Sequence, residues 1–206
     1  YAFSGGAAGS VNVISESVSA YIAGGSTVGT TSTDAGIGIS AIESSGIIAN
    51  SLAAGIGAGI SEGGRGIGAA AAGSFAVNTV IKDISAYSSN SVINSANFAT
   101  VAARSEGDIW ALTLGGTGAG GSSSDMLGGA VSLAGAATVN VVDSVVDAYV
   151  LGGSVATHNG GDVALSAADD SNTLSNAGIL NAALGYSGYN AGGASLGASV
   201  AVNIND

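Results

Sequence analysis

Apolar and polar residues alternate along most of the chain, and one alternating stretch recurs. It reads SVNVISESVSAYI from Ser10, FAVNTVIKDISAY from Phe75, TVNVVDSVVDAYV from Thr138, and SVAVNIND up to Asp206. Aligning the Val-Asn pairs makes Asn12, Asn78, Asn140 and Asn203 equivalent, at spacings of 66, 62 and 63 residues. Such repetition means that one supersecondary unit, unable to bury its apolar side alone, stacks on copies of itself. The repeats run roughly over 1–65, 66–128, 129–191 and a partial 192–206. A two-residue period predicts strands with one buried face. Hydropathy assigns that face to Val11 and Val13; to Phe75, Val77 and Thr79; to Val139 and Val141; and to Val200, Val202 and Ile204, with the repeated Asn pointing outward.

In each copy the apolar phase then shifts by one residue. The inward set becomes Val18, Ala20 and Ile22, then Ile84 and Ala86, then Val146, Ala148 and Val150. Polar residues mark the shift: Ser15-Glu16, Lys82-Asp83 and Asp143-Ser144. A slip of one residue turns every side chain over, so a corner between two strands is expected there. Further corners are expected at Gly24-Gly25, Gly152-Gly153, Gly160-Gly161 and Ser88–Asn90. Shorter alternating runs follow: Ile37, Ile39 and Ala41; Val163, Leu165 and Ala167; and Asp108–Leu114. No segment keeps a 3.6-residue period, so the prediction is an all-β chain, a parallel β-helix or β-solenoid of about three repeats of ~63 residues. Three turns per repeat would give coils of about 21 residues, nine or ten of them, and a rod about 45 to 50 Å long. On that reading equivalent Asn residues sit too far apart to touch. Gly115–Asp125 reads as a loop leaving the rod, Gly46–Ile60 as a buried strand-turn-strand, and Trp110 as a core plug sharing a face with Leu112 and Leu114.

Composition sharpens the picture. The chain has 206 residues with 36 Gly, no Pro and no Cys; 47% are hydrophobic, 5% aromatic and only 8% charged. A core built from such residues is thin, and it suits sheets in close contact. The lack of cysteine excludes a disulfide scaffold or thiolate metal site. Lys82, Arg65 and Arg104 stand against 14 carboxylates, a net charge of −11, which disfavours nucleic-acid binding because no cationic patch can form. No run reaches the ~18 apolar residues a helix needs to span a bilayer, and the aromatic girdles of a membrane barrel are not visible. The chain starts at Tyr1 without a leader, which fits a mature product or an excerpt of a longer array.

The candidate chemistry is sparse. Gly116, Gly118 and Gly121 form G-x-G-x-x-G, but Ser122 to Asp125 follow where a phosphate site needs a helix N-terminus, so this reads as loop. Calcium is the open alternative to no cofactor: carboxylates and carbonyls at Gly161-Asp162, Asp169-Asp170 and Gly120–Asp125 could ligate it, although the nine-residue period of a calcium β-roll is missing. His158 lies alone in a turn. Glu16 with Asp34, or Asp143 with Asp147, are the carboxylate pairs available for glycoside chemistry, without the aromatic and cationic groups that grip sugars; no enzyme is expected and no catalytic, cofactor or metal residue is assigned. Tyr21, Tyr87 and Tyr149 follow the repeated Ala on the outward phase, either padding an exposed face or forming an aromatic contact column.

The phrases GASVAVNIND, VDAYVLGGSV and NGGDVALSAADDSNTLSNAG resemble the Gly/Ala-rich repeats of giant Gram-negative filamentous adhesins, the leukotoxin-like and haemagglutinin-like exoproteins. The likeness spans the chain, is clearest over Leu127–Asp206 and departs from the pattern at Phe98–Ser124. It implies secretion to the cell surface, a β-solenoid shaft, and adhesion or extracellular architecture. The expected partners are copies of the chain itself, continuing the stack head to tail, and a host or neighbouring-cell surface. Calcium or glycan binding on one rod face is the alternative function.

Overall fold

The computed structural model describes residues Tyr1–Asp206 and contains strands but no helix. The chain is a parallel β-helix whose single coil is one whole repeat. In chain order the strands are β1 (Ala2–Ile22), β2 (Thr27–Gly29), β3 (Ile37–Glu43), β4 (Gly46–Ser61), β5 (Gly66–Ser95), β6 (Ala99–Ser105), β7 (Asp108–Ser123), β8 (Leu127–Thr157), β9 (Val163–Asp169), β10 (Asn172–Ser187) and β11 (Asn190–Asn205). They build three parallel sheets, ordered β1-β5-β8-β11 with β2 also on β5, β4-β7-β10, and β3-β6-β9. Asn12 pairs with Asn78, Asn78 with Asn140, and Asn140 with Asn203, so each circuit consumes 62 to 66 residues. The expected coils of about 21 residues are thereby corrected, and with them the long rod. Four stacked levels rise only about 14 Å, while a 16-residue strand such as β4 makes each coil about 50 Å wide along that sheet. The molecule is a wide, flat winding.

The facing of the first half of each repeat is the second correction, while the expected inward set of the second half, Val18, Ala20, Ile22, Ile84, Ala86, Val146, Ala148 and Val150, does face the core. Along β5 one uninterrupted phase is buried from Gly66 to Ser88 and includes Ala76, Asn78, Val80, Lys82, Ile84 and Ala86. Asn points in. Phe75, Val77 and Thr79 point out, as do Val11, Val13, Val139, Val141, Val200 and Val202. No corner exists at Ser15-Glu16, Lys82-Asp83 or Asp143-Ser144, because the strand runs straight through each. The slip occurs further along the same coil, where inward Ser88 is followed by inward Ser91. At that place Gly24, Asn90 and Gly152 stack as equivalents with φ of +76°, +48° and +63°, values that turn the chain and that glycine and asparagine adopt most readily. The corners expected at Gly24-Gly25, Ser88–Asn90 and Gly152-Gly153 are present, and Gly160 turns with φ +74°.

Inside, the coil tapers. At its wide end, the second halves of β1, β5 and β8 face β3, β6 and β9 across Ile39, Ala41, Ile84, Ala86, Ile93, Val101 and Ala103, joined by Val18, Ala20, Ile22, Val146, Ala148 and Val150. The middle holds Ile47, Ala49, Ala76, Val80, Ile109, Ala111 and Val142. Towards the narrow end the space holds single methyl groups, as at Ala70, Ala119 and Ala130, and at some positions none: a Cβ on Gly57 or Gly59 would overlap the carbonyl oxygen of Ala69 or Ile67 on the opposite sheet. Gly46–Ile60 is therefore one continuous strand, and Gly115–Ser123 belongs to β7 and is no loop. Small residues are where the sheets touch.

Candidate functional site: internal ladders and apolar outer faces

Because the register is constant, like residues stack directly and form ladders. Asn12 Nδ2 donates to Asn78 Oδ1 (2.8 Å), Asn78 Nδ2 to Asn140 Oδ1 (2.8 Å), and Asn140 Nδ2 to Asn203 Oδ1 (3.0 Å). An amide carries both a donor and an acceptor, so a column of them satisfies itself through the core. Beside it Thr113 and Thr138 share a hydrogen bond across the narrow interior (2.7 Å), as do Thr117 and Ser132 (2.5 Å). Outside, the rings of Tyr21, Tyr87 and Tyr149 lie parallel, with centroids 5.2 and 4.9 Å apart, flanked by the Ser19–Ser85 hydroxyl contact at 2.9 Å. The outward placement of the tyrosines follows the sequence reading. Their direct contact does not, because it depends on one coil per repeat.

A polar post stands where the wide end meets the middle. Glu16, Lys82 and Ser144 stack on the first sheet, and Glu43, Ser105 and Asp169 stack on the third. Lys82 Nζ lies 2.5 Å from Glu43 Oε2, both side chains being buried, and donates to Ser105 Oγ at 3.2 Å. Burial pushes the Glu43 carboxyl up, but Lys82, with Ser45 and Glu16, holds it below the usual carboxylate range. Asp169 is likewise pushed up by burial and held low by the hydrogen bonds it accepts from the Ser171 hydroxyl and N–H, with the Ser144 and Ser105 hydroxyls beside it. The sequence singled out Lys82 as a corner residue. The signal that would have placed it correctly is its parity with Asn78, Val80, Ile84 and Ala86.

The outer surface carries the apolar side chains that hydropathy assigns to the core. On the β4-β7-β10 sheet Ile48, Leu52, Ile56 and Ile60 form a ridge, Gly116, Gly118 and Gly120 a trough on the next coil, and Leu180, Leu184 and Tyr186 a second ridge. Trp110 belongs to this face, 56% exposed, with Leu112 and Leu114 beside it; the core-plug expectation is corrected. The opposite face, formed by the first halves of β1, β5, β8 and β11, shows Phe3, Val11, Val13, Phe75, Val131, Leu133, Leu196 and Val200. The first face alone covers on the order of 700 Å², beyond what a monomeric surface leaves contiguous and apolar. The charges sit elsewhere, in turns such as Glu62–Arg65 and around Arg104, which contacts Asp170 (2.9 Å) and Glu106 (2.8 Å).

The remaining candidates are scattered. Gly116, Gly118 and Gly121 lie within β7 with no helix behind them. No group of three or more acidic or histidine side chains converges, and Gly161-Asp162, Asp169-Asp170 and Gly120–Asp125 stay apart as separate turns and strand ends. Asp143 and Asp147 share the outer side of β8 about 13 Å apart, too far to work on one bond. Asp34 and His158 are exposed in turns. Searches of protein-family models, curated proteins and solved structures return no match to this chain.

Proposed function

We propose that this protein is structural: a segment of an extracellular β-solenoid filament, the shaft of an adhesin or a self-assembling subunit at a bacterial cell surface. The observation that carries this reading is the constant register, in which Asn meets Asn and Tyr meets Tyr from coil to coil. A ladder of that kind gains by every added level and has no preferred length, which is the energetics of a fibre. The partners are further coils of the same pattern along the axis, and copies of the chain laterally. The two broad faces suit lateral contact, being flat, apolar and nearly free of charge, with ridges on one coil and a glycine trough on the next. The adhesin resemblance agrees with this reading and adds the cell surface as its place.

Negative-stain microscopy with surface labelling of the producing cell tests it. Slender filaments that bind an antibody to this segment outside the cell are expected. Intracellular labelling, or discrete particles with no lateral or axial association at any concentration, would overturn it. Placing lysine at Ile56 and Leu180 should abolish lateral bundling while leaving the coil intact.

A further inference from the structure

Lys82 is the single lysine of the chain, and it is fully buried, next but one along its strand to Val80 and Ile84 in the core. Nζ sits 2.5 Å from Glu43 Oε2, with the two side chains 0% and 2% exposed. That is closer than an ordinary N–H···O hydrogen bond, yet neither Glu43 oxygen accepts an aligned one. The amine is held in place from behind, since a Cβ on Gly107 would overlap Nζ. A third group stands near: Glu16, the level below Lys82 on the same sheet, lies beside the Glu43 carboxyl and is itself exposed to solvent. The amine and the Glu43 carboxyl thus meet with little access for water, and the second carboxyl stands at the solvent edge. Kept as ions, they bear a desolvation cost that an uncharged amide would not.

We propose that Lys82 and Glu43 condense spontaneously into an intramolecular isopeptide bond, with Glu16 as proton carrier. Transfer of one proton from the ammonium to the carboxylate gives the neutral pair. The Nζ lone pair then attacks Glu43 Cδ, forming the C–N bond. Glu16 takes a proton from Nζ and delivers it to the departing hydroxyl, the C–O bond breaks, and one water leaves; no oxidant or reductant is involved. Fixed contact of the reactants supplies the rate, as in other intramolecular reactions. The bond would clamp β3 of the first coil to β5 of the second, so that load along the stack passes through a covalent link as well as through strand hydrogen bonds.

Mass spectrometry of the unaltered folded chain tests this. The expected mass is one water, about 18 Da, below that of the sequence. After denaturation, trypsin should release residues 1–65 and 66–104 as one branched species, uncut at Lys82. Glu43→Ala and Lys82→Ala should each show the full sequence mass, and Glu16→Gln should keep the fold while slowing or abolishing the loss. Full mass in wild-type protein that is protected from trypsin at Lys82 while native, or recovery of 66–82 and 83–104 as separate peptides after denaturation, overturns the proposal. The result is independent of whether the protein forms filaments.

Discussion

Asn78 is the position at which the inverted core can be weighed. It is fully buried, accepts from Asn12 and donates to Asn140, both at 2.8 Å. Asn78→Ala deletes two hydrogen bonds, each with a net value of about 1 kcal/mol, and leaves the Asn140 acceptor buried without a partner at a further cost of about 1 to 3 kcal/mol. A loss of about 3 to 5 kcal/mol follows, or about 6 to 20 °C in melting temperature for a chain of this length. The neighbouring Val77→Ser removes an apolar side chain from the outer surface and should cost less than about 1 kcal/mol. Urea unfolding followed by circular dichroism compares the two under conditions that keep the chain dispersed. Were the valines inside and the asparagines outside, as hydropathy alone suggests, the order would reverse. Val77→Ser costing more than Asn78→Ala would refute the reasoning.

At the narrow end Gly57 should tolerate no side chain: Gly57→Val ought to cost several kcal/mol or prevent folding, whereas Gly118→Ala, whose Cβ meets nothing within 4 Å, should change the melting temperature by less than about 2 °C. Limited trypsinolysis of the native chain should cut first at exposed Arg65, more slowly at Arg104 within β6, and not at buried Lys82; sequencing the first fragments checks the order. Asp169 has a folded-state carboxyl below its ordinary value of 3.8, so it contributes stability above that value and loses it as the pH falls through the lower folded one. Melting temperature should therefore be insensitive to this group above about pH 5 and decline in acid, and Asp169→Asn should flatten the acid limb.

Much of the architecture could be read from the sequence, because the two-residue period and the spacing of 62 to 66 residues are strong, local signals. All-β content, parallel stacking and the corners at Gly24-Gly25, Asn90 and Gly152-Gly153 follow from them directly. The inward set of each repeat's second half, Val18, Ala20 and Ile22 with their equivalents, is as expected, but the facing of the first half does not follow. Assigning the apolar phase to the interior fails along the first half of each repeat because the interior is too narrow for it there: opposite Gly57 and Gly59 the space admits no Cβ, and the stretch beside them holds Ala76, Thr113, Thr138 and a self-satisfied Asn ladder. Side-chain size was the better guide, since in GIIANSLAAGIGAGI the small phase points in and the large one out. The length of a coil was also hidden. Typical strands span about 3 to 10 residues, so a period of ~63 suggested several short turns, whereas β5 and β8 run for 30 and 31 residues. The Lys82–Glu43 contact depended on both errors being removed, because it joins residues on different sheets and different coils.

The central claim is that one repeat makes one turn, and the absence of cysteine from the chain allows it to be tested cleanly. Ser19 and Ser85 lie on adjacent strands with hydroxyls 2.9 Å apart at the surface, within the reach of a disulfide between neighbouring Cα atoms. The double variant Ser19→Cys, Ser85→Cys should oxidise readily in the folded state and close a 66-residue loop, seen as faster migration without reductant and the loss of both free thiols. If three turns separated these residues they would sit about 14 Å apart. Two free thiols in a folded, air-exposed sample would contradict the one-turn coil.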